Sequence, residues 1–313
     1  MSPLHSPLPR RQRGVALLAA LLVVALATVL IAGLLDRGEQ SRARSRNNLR
    51  AEQSWQLALG AEYWAITQLD KDWQTAGGRD FYGEAWSQAI PPLPVPGGLL
   101  SGQVFDQTGC LDLNRLYADG RVDSIQEKRF KRLLTVLSLN PDIADRVIDW
   151  IDPDGTPQPQ GAEDLSYLAQ SPAYRSANRP MAHVSELRLV AGVDGKTFDT
   201  LSPHVCALPE AVDLNLNFAS LPVWMSLDER ITETMARQLW LDGKASYDSI
   251  DDVLLSFERL QLPAVVTAGL GTTSGFVLLR AEIDVDGLPF QYSALIRRGP
   301  RGAATWARIR GRW

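Results

Sequence analysis

Histidine and cysteine are almost absent from this chain. Its 313 residues include three histidines, His5, His183 and His204, and two cysteines, Cys110 and Cys206. None has a neighbour at zinc-ligand spacing, so a zinc site lacks donors. Also missing are a G-x-S-x-G nucleophile turn and a phosphate-cradling glycine loop. His183, Ser185 and Glu186 lie close together, but without a supporting motif they do not make an acid–base centre. The chain therefore reads as a non-enzyme. An excess of positive charge is lacking too: the formal net charge is −4, which argues against a nucleic-acid partner. With 45% apolar and 22% charged residues, the composition is that of ordinary globular material able to bury a core.

Charge is wholly absent between Val15 and Leu35, a run of 21 residues. As a helix it spans about 31 Å, enough to cross the hydrocarbon layer of a bilayer. Arg10, Arg11, Arg13 and Gly14 precede it; Arg37, Arg42, Arg44, Arg46 and Arg50 follow it. Basic residues on both sides leave the orientation open on charge alone. Three readings compete: a cleaved export signal, with Ala25-Leu26-Ala27 as a small-x-small site; a plain anchor; or a helix that leaves the bilayer and bundles with copies of itself.

Proline is missing from Arg42 to Leu69. Trp55, Leu59, Tyr63, Ile66 and Leu69 recur there at spacings of four and three, which predicts one apolar stripe packed on the protein's own sheet. The expectation is one long helix, apolar in its first half and amphipathic in its second. Gly77 to Gly98, with "IPPLPVPGG", reads as loop. Leu99 to Phe105 reads as a strand. "FVLLRAEIDVDGLPFQYSALIRRG" alternates on both sides of Asp286-Gly287, a hairpin signature, and "TWARIRGRW" adds an edge strand.

Between these strands the chain reads as helical and repeated. "CLDLNRL" opens one half and "AVDLNLN" the other, aligning Asp112, Leu113 and Asn114 with Asp213, Leu214 and Asn215. "LSLNPDIADRVIDWID" then matches "MSLDERITETMARQLW", with Asn140 and Asp228 as expected N-caps. "VSELRLVAGV" matches "IDDVLLSFER" as a third pair. The units resemble helix-hairpin-helix modules, but no basic, glycine-rich hairpin aims at phosphate, so no nucleic acid is expected.

The copies differ most at an insertion in the first, Asp152 to Pro180. Asp149, Asp152, Asp154, Glu163 and Asp164 place five carboxylates within sixteen residues. From Asp152, oxygen-bearing side chains stand at alternate positions through Thr156, Gln158 and Gln160, with Glu163 at the twelfth. That is EF-hand spacing, but Pro157 occupies the glycine position and excludes a regular EF-hand. The residues suit calcium; without it, Asp-Pro-Asp-Gly makes a solvated turn. Cys110 and Cys206 either remain buried thiols or, in an exported domain, form a disulfide. By loop entropy such a bridge contributes on the order of 4 kcal/mol.

A basic leader ending at Gly14, then an apolar helix fused to a globular domain, resembles the type IV prepilin-like proteins. The resemblance implies cleavage by a prepilin peptidase between Gly14 and Val15 and methylation of Val15. In that family the fifth mature position is usually glutamate; here it is Ala19. A subunit with no earlier neighbour has no amine for that acid to meet, and an unpaired carboxylate in hydrocarbon is unfavourable. With "DWIDPDGTPQPQGAEDLSYL" and "YRSANRPMAHVSELRLVAGV", the chain is similar to the protein K family of type II secretion systems, the largest minor pseudopilins.

That resemblance implies an α+β fold: a long N-terminal transmembrane helix and a pseudopilin-type antiparallel sheet, interrupted by a large helical insertion. Residues 1–14 are then the leader and 15–35 the membrane part. Residues 36–109 hold the periplasmic helix and first sheet portion, 110–262 the inserted helical domain, and 263–313 the C-terminal strands. The resemblance also implies a calcium loop, for which the carried-over ligands are Asp149, Asp152, Asp154, Glu163 and Asp164, with Thr156 through its carbonyl. The implied partners are the minor pseudopilins I and J, the pseudopilus filament, the prepilin peptidase and the inner membrane. The implied location is a single pass of the bacterial inner membrane with the C-terminal domain in the periplasm. The competing function is a membrane-anchored, calcium-binding periplasmic interaction protein outside any filament.

Overall fold

The computed structural model describes residues 13–262 and 265–313. The expected leader therefore lies outside the described residues up to position 12. Internal contacts divide the chain into two units, Met1–Gln56 and Leu57–Trp313.

Helix α1 (Arg13–Ala76) supplies all described residues of the first unit. Every side chain from Val15 to Leu35 is exposed, and the helix is long and apolar enough to cross a membrane. The run's one hydroxyl, Thr28, donates to the Val24 carbonyl at 2.8 Å. That bond satisfies it inside the helix without water.

The second unit is built on five antiparallel strands in the order β1 (Ile90–Val95), β2 (Gly98–Asp106), β3 (Phe276–Val285), β4 (Leu288–Arg297) and β5 (Ala304–Arg310). The β3–β4 hairpin turns at Asp286 and Gly287, both with positive φ, as a type I′ turn requires. β1 corrects the expected loop from Gly77 to Gly98. Its prolines, Pro91, Pro92 and Pro94, are tolerated because β1 is an edge strand, where a missing N–H leaves no ladder bond unmade.

Register fixes the two faces of the sheet. Tyr292 lies opposite Ala281 on β3, which lies opposite Gly102 on β2. Side chains alternate along a strand, so Val104, Leu279, Ala281, Ile283, Tyr292 and Ala294 share one buried face. The second half of α1 is tied to that face by Glu62, which accepts from Thr305 Oγ1 at 2.6 Å and from Arg308 Nη2 at 2.7 Å, and from the Tyr292 hydroxyl. Burial disfavours the Glu62 charge, but these hydrogen bonds outweigh it and hold the carboxyl below its usual range. The buried stripe of α1 differs from the expected one. It consists of Ala58, Ala61, Ala65 and Leu69, whereas Tyr63 is 75% exposed. Small residues let a helix backbone approach a sheet closely, so the large apolar side chains lie to either side.

The helical module leaves the sheet after β2 and returns at β3. These are hydrogen-bonded neighbours, with Asp106 opposite Val277. Its helices are α2 (Ser124–Val136), α3 (Ile143–Ile151), α4 (Asp164–Leu168), α5 (Gly195–Leu201), α6 (Leu221–Ser226), α7 (Glu233–Trp240) and α8 (Ile250–Arg259). They enclose one continuous core that includes Phe130, Trp150, Tyr167, Trp224 and Phe257. Cys110 and Cys206 are joined by a disulfide with a Cα–Cα distance of 5.8 Å. Beside it, Cys206, Leu208, Phe276 and Leu295 form a smaller cluster on the sheet face opposite α1.

The repeat is present, in a register two residues from the expected one. Asn114 donates to the Met181 carbonyl and accepts from its N–H. Asn217, not Asn215, makes the same pair with Tyr247. Asp112 Oδ1 accepts from Asn114 N, and Asn215 Oδ1 from Asn217 N. The equivalent triplets are thus Asp112-Leu113-Asn114 and Asn215-Leu216-Asn217. The two "D-L-N" strings are identical in letters, but the hydrogen bonds, not the letters, define the register. Asn140 and Asp228 likewise are not the N-caps. Each accepts from the N–H two residues on, while α3 is preceded by Asp142 and α7 is capped by Thr232.

Candidate metal centre

The acidic insertion starts where α3 ends. Ile143, Val147, Ile148 and Ile151 of α3 are buried, and its polar residues grip the loop that follows. Asp149 Oδ1 accepts from Gln158 N at 2.9 Å. Asp145 Oδ2 accepts from Gln160 N at 3.2 Å, and Arg146 Nε donates to the Gln160 carbonyl at 3.3 Å. The loop is drawn so tightly over α3 that a Cβ at Gly161 would collide with Asp149 Oδ2. Beneath it, Trp150 and Tyr167 stack edge-on at 5.2 Å, and Tyr167 meets Tyr174 at 5.3 Å.

This frame brings Asp152, Asp154 and Glu163 together, each with one carboxylate oxygen within 4.8 Å of the others. Two oxygens bound to one ion at about 2.4 Å lie no more than about 4.8 Å apart, so all three can share a calcium-sized cation. Asp152 Oδ1, Glu163 Oε1 and Asn178 Oδ1 are buried with no hydrogen-bond partner, as is Asp149 Oδ2. Buried oxygens without donors are unfavourable unless something positive meets them. Burial, and then repulsion from Asp154, Asp149 and Glu163, pushes Asp152 up to about 7. Burial raises Asp149 and Glu163 as well. The donors are all oxygen and mostly anionic, which fits a hard divalent cation and not zinc.

The other expected ligands lie outside this triad. Asp164 Oδ1 accepts from Ser176 N at 3.1 Å, and Asp164 Oδ2 lies 3.3 Å from Arg175 Nη1. Thr156 is exposed, and its N–H, rather than the carbonyl expected as a ligand, is the group that meets Asp154, at 2.8 Å from Oδ1. Asp149 sits under the loop and holds Gln158 through Oδ1, while its Oδ2 stays unpartnered beside the triad's acids. Asn178, whose Oδ1 is buried without a partner, is the candidate that sequence reasoning missed. It donates to the Asp154 carbonyl at 3.2 Å, and nothing in "SANRP" distinguishes it from an ordinary turn.

A second acidic group, Asp72, Asp80 and Glu84, is already satisfied. The buried guanidinium of Arg298 pairs with Asp72 and Asp80. Asp80 Oδ2 accepts from Ser274 N at 2.8 Å, and Glu84 Oε2 from Trp86 Nε1 at 2.9 Å. His183, Ser185 and Glu186 form a helix start: His183 Nδ1 accepts from Ser185 N at 3.2 Å, and Glu186 Oε1 from Ala182 N at 2.7 Å.

Comparison with known proteins follows the same lines. A family model for type II secretion system protein K matches residues 109–210. Protein K of the type II secretion system from Pseudomonas aeruginosa is 39% identical over 254 residues, covering 78% of this chain and 76% of the relative. The protein K of Pectobacterium carotovorum is 37% identical over 218 residues, 66% of each. A chain in the GspK–GspI–GspJ complex from the type 2 secretion system of enterotoxigenic Escherichia coli superposes with a TM-score of 0.71, covering 85% of this chain and 100% of that one. At 24% identity that likeness establishes the fold.

Proposed function

The chain belongs to the type II secretion system protein K family, and on that premise we propose that it is a minor pseudopilin of the pseudopilus tip. With the I and J subunits it initiates and caps the periplasmic filament and so supports export of folded proteins. The family is one of structural secretion components, not of enzymes. The observation that carries the reading is a helical module inserted between two neighbouring strands of a sheet whose helix continues into a membrane-length apolar run. The apolar half of α1 anchors the chain in the inner membrane until assembly, with the second unit in the periplasm. The bulk of the module prevents a further subunit from stacking above. The solved relative was crystallised with GspI and GspJ, and the corresponding I and J subunits are the partners proposed for this chain.

Calcium is the proposed ion of the acidic loop. Asp152, Asp154 and Glu163 would hold it by carboxylate oxygens and Asn178 by its amide oxygen. The ion would supply positive charge against which the crowded carboxylates stay ionised. Asp149, Asp145 and Arg146 hold the loop in place from α3.

The leader reading is tested at Gly14. Mass spectrometry of the mature protein should find a methylated N-terminus at Val15. A Gly14→Leu substitution should leave the leader attached, abolish secretion and prevent co-purification with the I and J subunits. An uncut variant that still supports secretion would remove the filament reading and leave a simple anchor.

A further inference from the structure

Just beyond the apolar run, α1 carries five arginines and two acids between positions 36 and 50, and the assembly reading uses none of them. We propose that Arg37, Arg42, Arg44 and Arg46 form a collar that binds anionic phospholipid headgroups at the surface of the membrane its own helix crosses. The proposal rests on Val15–Leu35 spanning that membrane.

All four side chains are exposed, and none pairs with a carboxylate among the described residues. Asp36, the acid next to Arg37 in the chain, instead accepts from Gln40 Nε2 at 3.0 Å. At about 1.5 Å per residue, Arg37 lies about 3 Å past Leu35 and Arg46 about 16 Å past it. The headgroup layer adds roughly 5–8 Å beyond the hydrocarbon, and its field reaches about another 8 Å at physiological salt. Side-chain length brings even Arg46 into that zone.

The distribution around the helix axis favours a membrane surface over a protein. At about 100° per residue, Arg37 and Arg44 fall within about 20° of each other, whereas Arg42 and Arg46 lie on the opposite side. A neighbouring helix contacts one face, but a headgroup layer surrounds the helix. The choice of residue agrees, since the collar contains arginine and no lysine. A planar guanidinium fork matches the oxygens of a phosphodiester. The positive charge is also local. Of the chain's 32 basic and 36 acidic residues, eight and three lie in Met1–Gln56, leaving 24 and 33 in the rest. The collar thus reverses the sign of an otherwise acidic protein where it meets lipid.

The test uses the chain from Val15 onward, free of the leader's Arg10, Arg11 and Arg13, reconstituted in phosphatidylcholine vesicles containing trace spin-labelled lipid. Electron paramagnetic resonance then measures the population slowed by contact with protein. The native chain should slow spin-labelled phosphatidylglycerol over spin-labelled phosphatidylcholine by roughly fivefold in relative association. The preference should fall to unity in 0.5 M salt and in the combined variant R37Q/R42Q/R44Q/R46Q, in which both lipids remain slowed. Equal association of the two lipids with the native chain, or a preference retained in the variant, would overturn the proposal. Equal association together with loss of the I and J subunits from the variant would reassign the arginines to a protein contact. If neither lipid is slowed, the membrane-spanning premise itself has failed, and the collar with it.

Discussion

At Asp152 one buried carboxylate oxygen has no donor, and three further acids crowd the side chain. An acid whose pKa is raised by folding, here from 3.8 to about 7, binds its proton more tightly in the fold than in the open chain. With no cation bound, the domain should therefore lose stability as pH rises from about 4 through 7. With calcium bound the same carboxylate stays ionised, so affinity should weaken below pH 7 as protons compete. Melting curves with chelator and with millimolar calcium, taken at pH 5 and pH 8, give the check: the gap between them should widen at pH 8. Asp152→Asn should weaken calcium binding by about tenfold or more, since it removes an anionic ligand. Asn178→Ala should weaken it less, and calorimetric titration ranks the two. Unchanged affinity in Asp152→Asn would place the ion elsewhere. The sequence made the carboxylates visible but not their division of labour. Asp164 and Thr156 belong to the same acidic string, yet Asp164 faces Arg175 and Ser176 and Thr156 gives its N–H to Asp154 Oδ1. Asn178 lies 24 residues from Asp154, and only the folded loop brings it near.

The two repeats offer an internal comparison among elements. Asp112 and Asn215 occupy equivalent places, each accepting from the N–H two residues on. Asn215 also donates, to Ser274 Oγ at 3.0 Å and to the Asp80 carbonyl at 3.2 Å. Asp112 cannot donate when ionised, and its Oδ2 is buried without a partner. Burial pushes this carboxyl up to about 7 despite bonds from Leu208 N and Asn114 N. A group raised in this way contributes stability that is present below its unfolded value and lost as pH passes 7. Asp112→Asn should therefore stabilise the protein at pH 8, by about 1–3 kcal/mol, and change little near pH 4. Denaturant melts at the two pH values would show it; equal destabilisation at both would mean that the charge itself is needed. The elements themselves were largely legible. Alternation on both sides of Asp286-Gly287 marked the hairpin, and the 3.6-residue period marked α1. Two features were not. β1 is spelled with prolines that only an edge position permits, and the buried stripe of α1 keeps Leu69 of the expected set but otherwise consists of alanines, whose weak hydrophobic signal was hidden by the larger Tyr63 and Trp55.

At the scale of the molecule, the module is an insertion that the sheet does not require. β2 and β3 are already hydrogen-bonded neighbours, with Asp106 opposite Val277, so a short turn from Gln107 to Gly275 can close them into a plain hairpin. Insertions are tolerated at such sites because the chain leaves and returns at nearly the same point. The α1–sheet contact rests on Glu62 with Tyr292, Thr305 and Arg308, none of which lies in the module. Its loss uncovers apolar side chains on the sheet face opposite α1, Phe276, Leu278 and Leu295, and the Trp86 ring that meets Phe218 of the module. Replacing the three strand residues by threonine keeps β-propensity and shrinks the exposed patch. The shortened chain should fold, keep its membrane helix and still co-purify with the I and J subunits. If the module's bulk is what ends growth, pseudopili carrying this variant should accept subunits above it, and electron microscopy of labelled protein should find the label inside filaments instead of at their tips. A label that stays at the tip would mean that growth is ended by the sheet surface or by the missing acid at Ala19, and the module would then need another purpose. Secretion assayed in the same cells separates the two steps: on the proposed reading, initiation depends on the helix and sheet that the variant retains, and capping on the mass it has lost.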